Sequence, residues 1–252
     1  MEDFRLDGSV AMVTGAGAGL GFGIAVRLAR AGADVIVTSR TLGALGAVTR
    51  AIEAAGRRCL PMALDVLDLR GINALADRVT SEVGRLHVLV NNAGINIRGP
   101  ALEVTEADWD TVVDTNLKGL FFCCQAVGRQ MIAKGGGSIV NLASTLSVVG
   151  AVDRASYCAS KGGVALLTKA LAVEWAPYNL RVNAVAPTFV LTNMTASLLS
   201  DPAAKAKAVA KIPLGRIGEV DDVARAVLYL ASPAAAFITG VVLPVEGGYL
   251  AQ

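Results

Sequence analysis

The sequence predicts a doubly wound α/β domain, with a parallel seven-stranded sheet and helices on both faces. Three observations carry that prediction. Seven short apolar runs recur along the chain, at Val10–Val13, Asp34–Thr38, Cys59–Leu64, Leu86–Val90, Ser138–Leu142, Arg181–Val185 and Val241–Val245. Longer stretches rich in Ala, Leu and Arg separate them with helical spacing, and a glycine-rich turn joins the first run to the first such stretch. This alternation is the signature of βα units, whose right-handed crossovers cover both faces of a parallel sheet.

The helical stretches are Leu20–Ala31, Arg70–Glu82, Leu117–Ala133, Tyr157–Trp175 and Val220–Leu230. Thr105 with Asp108 reads as an N-cap ahead of a further amphipathic segment. Gly135-Gly136-Gly137 reads as the stop before the fifth strand. No repeat, low-complexity tract or linker divides the 252 residues, so a single domain over 1–252 is expected. Ligands of such a sheet bind beyond the carboxyl ends of its strands, which places the site on strand-end loops.

Composition narrows the chemistry. The formal net charge is +2 and no basic cluster appears, so nothing electrostatic speaks for nucleic acid. His87 is the only histidine, which leaves no histidine-built metal site and no Ser-His-Asp triad, so no metal is expected. Cys59, Cys123, Cys124 and Cys158 lack metal-ligand spacing, and no basic-then-apolar segment opens the chain. Reduced thiols in a cytoplasmic protein are the expectation. Two long uncharged stretches, Val182 to Ser200 and Ala226 to Val245, are interrupted by Pro187, Pro233, Thr239-Gly240 and Pro244, and read as buried strand, loop and helix, with no membrane partner. The 54% hydrophobic content suits a doubly covered sheet and a subunit interface, so a homo-oligomer is expected.

The turn after the first strand reads Thr14-Gly15-Ala16-Gly17-Ala18-Gly19-Leu20-Gly21. Glycines allow a tight turn and close backbone approach, while a helix N-terminus offers amide donors and positive potential to a pyrophosphate. Gly15, Gly19, Leu20 and Gly21 are therefore candidate dinucleotide contacts. Where an acidic residue would hold the ribose hydroxyls of NAD at the end of the second strand, the chain has Ser39-Arg40. A guanidinium pairs with a 2′-phosphate, so NADP(H) is preferred, with NAD(H) as the alternative.

Tyr157-Cys158-Ala159-Ser160-Lys161 puts Tyr and Lys four residues apart on one helix face, where an ammonium would lower the phenol's pKa and suit it for proton transfer. Chance alone gives such a pair in roughly one sequence of nine with this composition, so the spacing needs partners. Cys158 has no base to activate it as a nucleophile.

The spacing Gly15, Gly19, Gly21, followed by Asn91-Asn92-Ala93-Gly94, by Asn116 in Asp114-Thr115-Asn116-Leu117-Lys118-Gly119, and by Ser144 thirteen residues before Tyr157, resembles the short-chain dehydrogenase/reductase family. The resemblance continues to Val245-Glu246-Gly247-Gly248-Tyr249. It implies a Rossmann-type fold, an NADP(H)-dependent oxidoreductase acting on a small alcohol or ketone, and a homotetramer. It further implies that Tyr157 moves the proton, that Ser144 orients the substrate oxygen, that Lys161 lowers the Tyr157 pKa and holds the nicotinamide ribose, and that Asn116 positions a water. Asp65, Val66, Asn92, Ala93, Gly94, Pro187 and Thr192 become cofactor contacts by the same resemblance, together with Tyr157 and Lys161. Two departures stand out. Thr188 replaces a usual Gly, and His87 replaces a common Asp and reads as structural.

Substrate contacts are expected from Ile95–Gly99, Thr145–Arg154 and a lid near residues 188–212. The runs after Gly94 and at Ala170–Pro177 resemble the branch that oxidises sugar acids such as gluconate. Arg98 and Arg154 are candidate carboxylate ligands. A 3-oxoacyl-thioester reductase or broad ketone reductase is the rival enzyme, and a dinucleotide-sensing protein the rival without chemistry.

Overall fold

In the computed structural model, which describes residues 2–252 apart from the side chains of 197–199, all seven strands join one sheet. They are β1 (Val10–Val13), β2 (Asp34–Ser39), β3 (Cys59–Ala63), β4 (Val88–Asn91), β5 (Gly137–Leu142), β6 (Leu180–Pro187) and β7 (Val242–Val245). The order is β3-β2-β1-β4-β5-β6-β7, parallel throughout. The chain therefore winds outward from β1 to β3, returns to the other side of β1, and winds outward again. The loops after β1 and β4 diverge at that reversal and open a crevice.

Nine helices cross between or follow the strands among the described residues: α1 (Gly19–Arg30), α2 (Gly46–Ala54), α3 (Leu69–Val83), α4 (Glu106–Val113), α5 (Gly119–Ala133), α6 (Ala155–Trp175), α7 (Asn193–Ser200), α8 (Pro202–Val209) and α9 (Val220–Ala231). Alternation along each strand divides the apolar residues into two cores. Ala11, Val13, Val35, Val37, Val88 and Val90 pack with α1, α2 and α9. Met12, Ile36, Leu89 and Ile139 pack on the opposite face with α3, α5 and α6. Burial on both faces explains why the strands read as continuous apolar runs.

The expected elements lie within two residues of their observed bounds. β4 starts later than the apolar run because the His87 ring takes the bond a strand carbonyl would make: its Nδ1 accepts the Val10 N–H at 3.0 Å. The histidine is structural, as expected. Thr105 caps α4, its hydroxyl accepting the Asp108 N–H at 3.1 Å. Gly135 and Gly136 end the helix–strand passage at φ 89° and 99°, conformations that favour glycine. Helices α2, α7 and α8 were not foreseen. No helix among the described residues is long and apolar enough to cross a membrane.

Candidate active site

A cleft of about 1110 Å³ opens beyond the carboxyl ends of the strands. Gly15, Gly19, Leu20, Ser39, Arg40, Asp65, Val66, Asn92, Ala93, Gly94, Ser144, Tyr157, Lys161, Pro187 and Thr192 all line it, as do Arg98, Arg154 and Thr188. Of the residues singled out for the site, only Gly21 and Asn116 lie behind its wall.

The glycine turn has the shape a pyrophosphate needs. Gly15 and Gly19 adopt φ 64° and 57°. Ala18, the N-cap of α1, provides no side-chain cap, so the first-turn amides remain available to an anion. Gly21 acts by lacking a side chain: a Cβ there would sit 2.4 Å from both the Asn92 Nδ2 and the Gly15 carbonyl oxygen. A brace hidden from sequence reading holds this turn. The Thr14 hydroxyl accepts the N–H groups of Asn92 and Ala93 at 3.0 and 3.1 Å, and Asn92 Nδ2 donates to the carbonyls of Thr14 and Gly15 at 2.9 and 3.0 Å. Asn92 thus joins the loops after β1 and β4 through its amide. The only hint was a hydroxyl residue at the strand end.

At the end of β2, Ser39 spends its hydroxyl on the backbone of Thr41. Arg40 is exposed, and no hydrogen bond or ion pair engages its guanidinium among the described residues. An uncommitted cation beside the phosphate-shaped turn, with no acidic neighbour at the β2 end, fits a nucleotide carrying a further phosphate. Asp65 turns its carboxylate to the Leu67 N–H at 3.0 Å.

Chemistry concentrates at the start of α6. Lys161 is 4% exposed, and its Nζ donates to the Leu142 carbonyl at the end of β5 at 2.6 Å. It stands 5.8 Å from the centre of the Tyr157 ring. Burial pushes the Lys161 ammonium down to about 8. Tyr157 departs from the expectation. Its phenol is pushed above the ordinary value by burial, and the influences that oppose this are the nearby Ser144 hydroxyl and the charge of Arg154. Arg154 is consequently an electrostatic partner of Tyr157 that spacing along the helix did not reveal.

Asn116 commits its side-chain amide to the protein. It lies in a π-helical turn, Asp114–Lys118, between α4 and α5. Its Oδ1 accepts the Ile95 N–H at 2.8 Å, while Nδ2 donates to the Ile95 carbonyl at 2.9 Å and to the Ser160 hydroxyl at 3.1 Å. Ser160 in turn donates to the Tyr157 carbonyl at 2.8 Å. Asn116 therefore locks the loop after β4 to the first turn of α6. Such π-turns concentrate at functional sites.

Arg154 is half-buried, and burial followed by the charge of Arg98 pushes it below its ordinary value. It reaches Asn96 Oδ1 at 3.5 Å, and neither arginine forms an ion pair among the described residues. Two guanidinium groups thus share the cleft wall without an ion pair, the nearby charge of Asp153 only partly offsetting the burial of Arg154. The segment 188–212 forms α7 and α8 over the cleft, contributing Phe189, Met194, Lys207 and Lys211 to its lining. Residues 197–199 of that segment lie outside the described side chains.

Comparison with known proteins agrees with this geometry. Residues 15–250 match the family described as enoyl-(acyl carrier protein) reductase. The chain is 43% identical to 2-dehydro-3-deoxy-D-gluconate 5-dehydrogenase of Escherichia coli, covering 99% of this chain and 98% of that one. It is 44% identical to D-threitol dehydrogenase of Mycolicibacterium smegmatis, with 98% and 95% covered. A solved gluconate 5-dehydrogenase from Burkholderia cenocepacia, in complex with NADP and tartrate, superposes with a TM-score of 0.96 at 36% identity, covering 100% and 98% of the two chains.

The depressed Lys161 gives a stability prediction. Below pH 8 the ammonium is charged in both folded and unfolded chains and its burial costs stability. Between pH 8 and 10.5 the unfolded chain binds more protons, so stability rises with pH and the cost fades. Lys161→Met should therefore be more stable than the parent below pH 8, by up to the order of 3 kcal/mol. Urea unfolding of both proteins from pH 7 to 10.5 should show the gap narrowing, and a gap independent of pH would refute the assignment.

Proposed function

The chain belongs to the short-chain dehydrogenase/reductase family and is an alcohol dehydrogenase or carbonyl reductase, and on that premise we propose that it interconverts a sugar acid or related polyol and the corresponding ketone with NADP(H). One observation carries the reading: a single cleft is lined by the glycine turn with its unpaired Arg40 and by Tyr157, Lys161 and Ser144.

In this reading the pyrophosphate rests on Gly15, Gly19, Leu20 and Gly21 at the start of α1, with Ser39 and Arg40 at the 2′-phosphate and Asp65 and Val66 at the adenine. Asn92, Ala93 and Gly94 flank the nicotinamide half, Tyr157 and Lys161 hold its ribose, and Pro187 and Thr192 face its carboxamide. NADP(H), when bound, supplies the hydride chemistry. Tyr157 gives its phenolic proton to the carbonyl oxygen during reduction and takes the hydroxyl proton during oxidation. Burial, which raises the phenol, favours the protonated form from which reduction draws its proton, whereas oxidation needs the deprotonated form. Ser144, beside that phenol on the cleft wall, orients the reacting oxygen. Lys161, at about 8, keeps a proton close to the ring. Asn116 keeps the Tyr157 helix in register with the loop after β4.

Arg98 and Arg154, whose charges act on each other and which form no ion pair among the described residues, favour an anionic substrate. The tartrate bound to the gluconate 5-dehydrogenase relative is itself a dicarboxylate. The lid at 188–212 closes over this end. Self-association belongs to the same reading. Leu166 and Val173 on α6 are 69% and 80% exposed and Phe237 is fully exposed, apolar area that a homotetramer would cover. Four unpaired thiols fit a reducing compartment, the cytoplasm.

Cofactor-linked absorbance assays of sugar acids, 3-oxoacyl thioesters and simple ketones, with NADPH and NADH in parallel, test the substrate class. Preference for the sugar-acid arm is expected, and turnover confined to thioesters would move the assignment there. Tyr157→Phe should abolish turnover yet still bind NADPH; unchanged turnover would end the proposed chemistry. Arg40→Glu should shift the ratio of NADPH to NADH affinities towards NADH by at least roughly tenfold, since the carboxylate repels the 2′-phosphate, and an unshifted ratio would return Arg40 to a solvated surface role. Replacing Arg98 and Arg154 together with Ala should raise KM for an acidic substrate far more than for a neutral ketone, and equal effects would sink the carboxylate reading. Light scattering should find a tetramer, and a monomer would contradict the assembly.

A further inference from the structure

The run Val245-Glu246-Gly247-Gly248-Tyr249 lies at the end of the last strand, and the chemistry above leaves it without a task. Its contacts are concentrated on one neighbour. The segment 188–212 departs from the end of β6 at Pro187 and returns to the C-terminal tail at Lys211–Leu214, so the tail touches it near both ends. At the departure, the rings of Phe189 and Tyr249 meet edge-on, with centres 6.3 Å apart and planes at 75°. At the return, the Leu214 N–H donates to the Gly247 carbonyl at 3.0 Å, and Gln252 Nε2 donates to the Lys211 carbonyl at 2.8 Å.

The two glycines make the second contact possible. Gly247 and Gly248 adopt φ 63° and 92°. A Cβ on Gly247 would lie 2.6 Å from the Ile212 side chain, and one on Gly248 2.9 Å from the Pro213 ring. Both the backbone conformation and the space therefore require glycine. The tail fastens its own turn as well, through the Leu250 N–H on the Glu246 carboxylate at 3.0 Å. Phe189 and Tyr249 both line the cleft that holds Tyr157.

We propose that Tyr249 is a specificity-determining residue: seated by Gly247 and Gly248, it forms the outer wall of the substrate end of the cleft and, through Phe189, fixes the root of the segment 188–212 that covers it. This rests on the reading that the alcohol or ketone binds beside Tyr157. Tail and covering segment move as one unit because rigid aromatic and backbone contacts join them at both ends. The substrate then meets a wall whose position is set by the last residues of the chain, while the adenine and pyrophosphate end is built on β1, β2 and β4, and Thr192 is the residue of the segment that also faces the dinucleotide.

Two readouts test this separately from the assigned reaction. Hydrogen exchange needs no turnover. In Tyr249→Ala the amides of Leu191 and Leu214 should exchange at least roughly tenfold faster, with β1 unaffected. Kinetics read the specificity. Tyr249→Ala should raise KM for the best substrate of the panel about tenfold with smaller changes in kcat and in Kd for NADPH, Tyr249→Phe should raise it less because the ring contact persists, and Phe189→Ala combined with Tyr249→Ala should be no worse than the larger single change. Unaltered exchange at both amides, KM effects that multiply, or an equal loss of NADPH affinity would overturn the proposal. A parent protein inactive on every substrate would instead count against the assigned reaction, and the exchange result would still decide the clamp.

Discussion

The bond from the Lys161 ammonium to the Leu142 carbonyl is the constraint around which this site is organised. A buried cation is costly unless its donors are used, so α6 must dock where β5 offers its last carbonyl. Once Lys161 is set there, Tyr157 one turn earlier faces the cleft, and Val164, Thr168 and Leu171 follow into the core. Polar contacts inside the sheet keep the docking in register. Asn91 Nδ2 donates to Asn141 Oδ1 at 3.0 Å, and Asn141 Nδ2 to the Thr168 hydroxyl at 3.0 Å, tying β4, β5 and α6 together. From the other side, the Asn116 and Ser160 bonds hold the first turn of α6 against the loop after β4. A reactive group on a rigid helix, supported by a second layer of bonds, is held far more closely than one on a loop.

Most of this was legible in the sequence wherever one residue type served one purpose. Strand runs are continuous because both sheet faces are buried, and the glycine turn is visible because only glycine satisfies positive φ and close approach at Gly15 and Gly19. What escaped depends on the third dimension. Tyr157 and Lys161 do share a helix face, but spacing says nothing of the Leu142 carbonyl that captures the ammonium or of burial that raises the phenol. Thr14 looked like an ordinary strand end, although its hydroxyl holds two backbone amides of the loop after β4. Spacing along the chain could not show that Asn116 sits in a π-turn that directs its amide to Ile95 and Ser160. Helices α7 and α8 cover a cleft instead of a core face, so a regular apolar stripe is missing.

Charge placement divides the cleft into two recognition zones. Arg40 stands unpaired beside the glycine turn, and Arg98 and Arg154 stand unpaired beside Tyr157. None of the three forms an ion pair among the described residues, and although Asp65 lines the first zone and the charge of Asp153 acts on Arg154 in the second, each zone keeps guanidinium donors for an anion. Arg154 serves twice, because its charge also opposes the burial that raises the Tyr157 phenol. Loops at strand ends can carry such uncompensated charge because the packed sheet beneath them supplies the stability.

The account stands on burial drawing the Lys161 ammonium down towards neutrality while it raises the phenol of Tyr157. The most direct measurement is an NMR titration of protein carrying 13C at the lysine ε-carbon, with Lys161→Met identifying the resonance. A midpoint of about 8 is the predicted result. A midpoint near the ordinary 10.5 would mean that the ammonium is solvated and would contradict the arrangement from which the rest is argued.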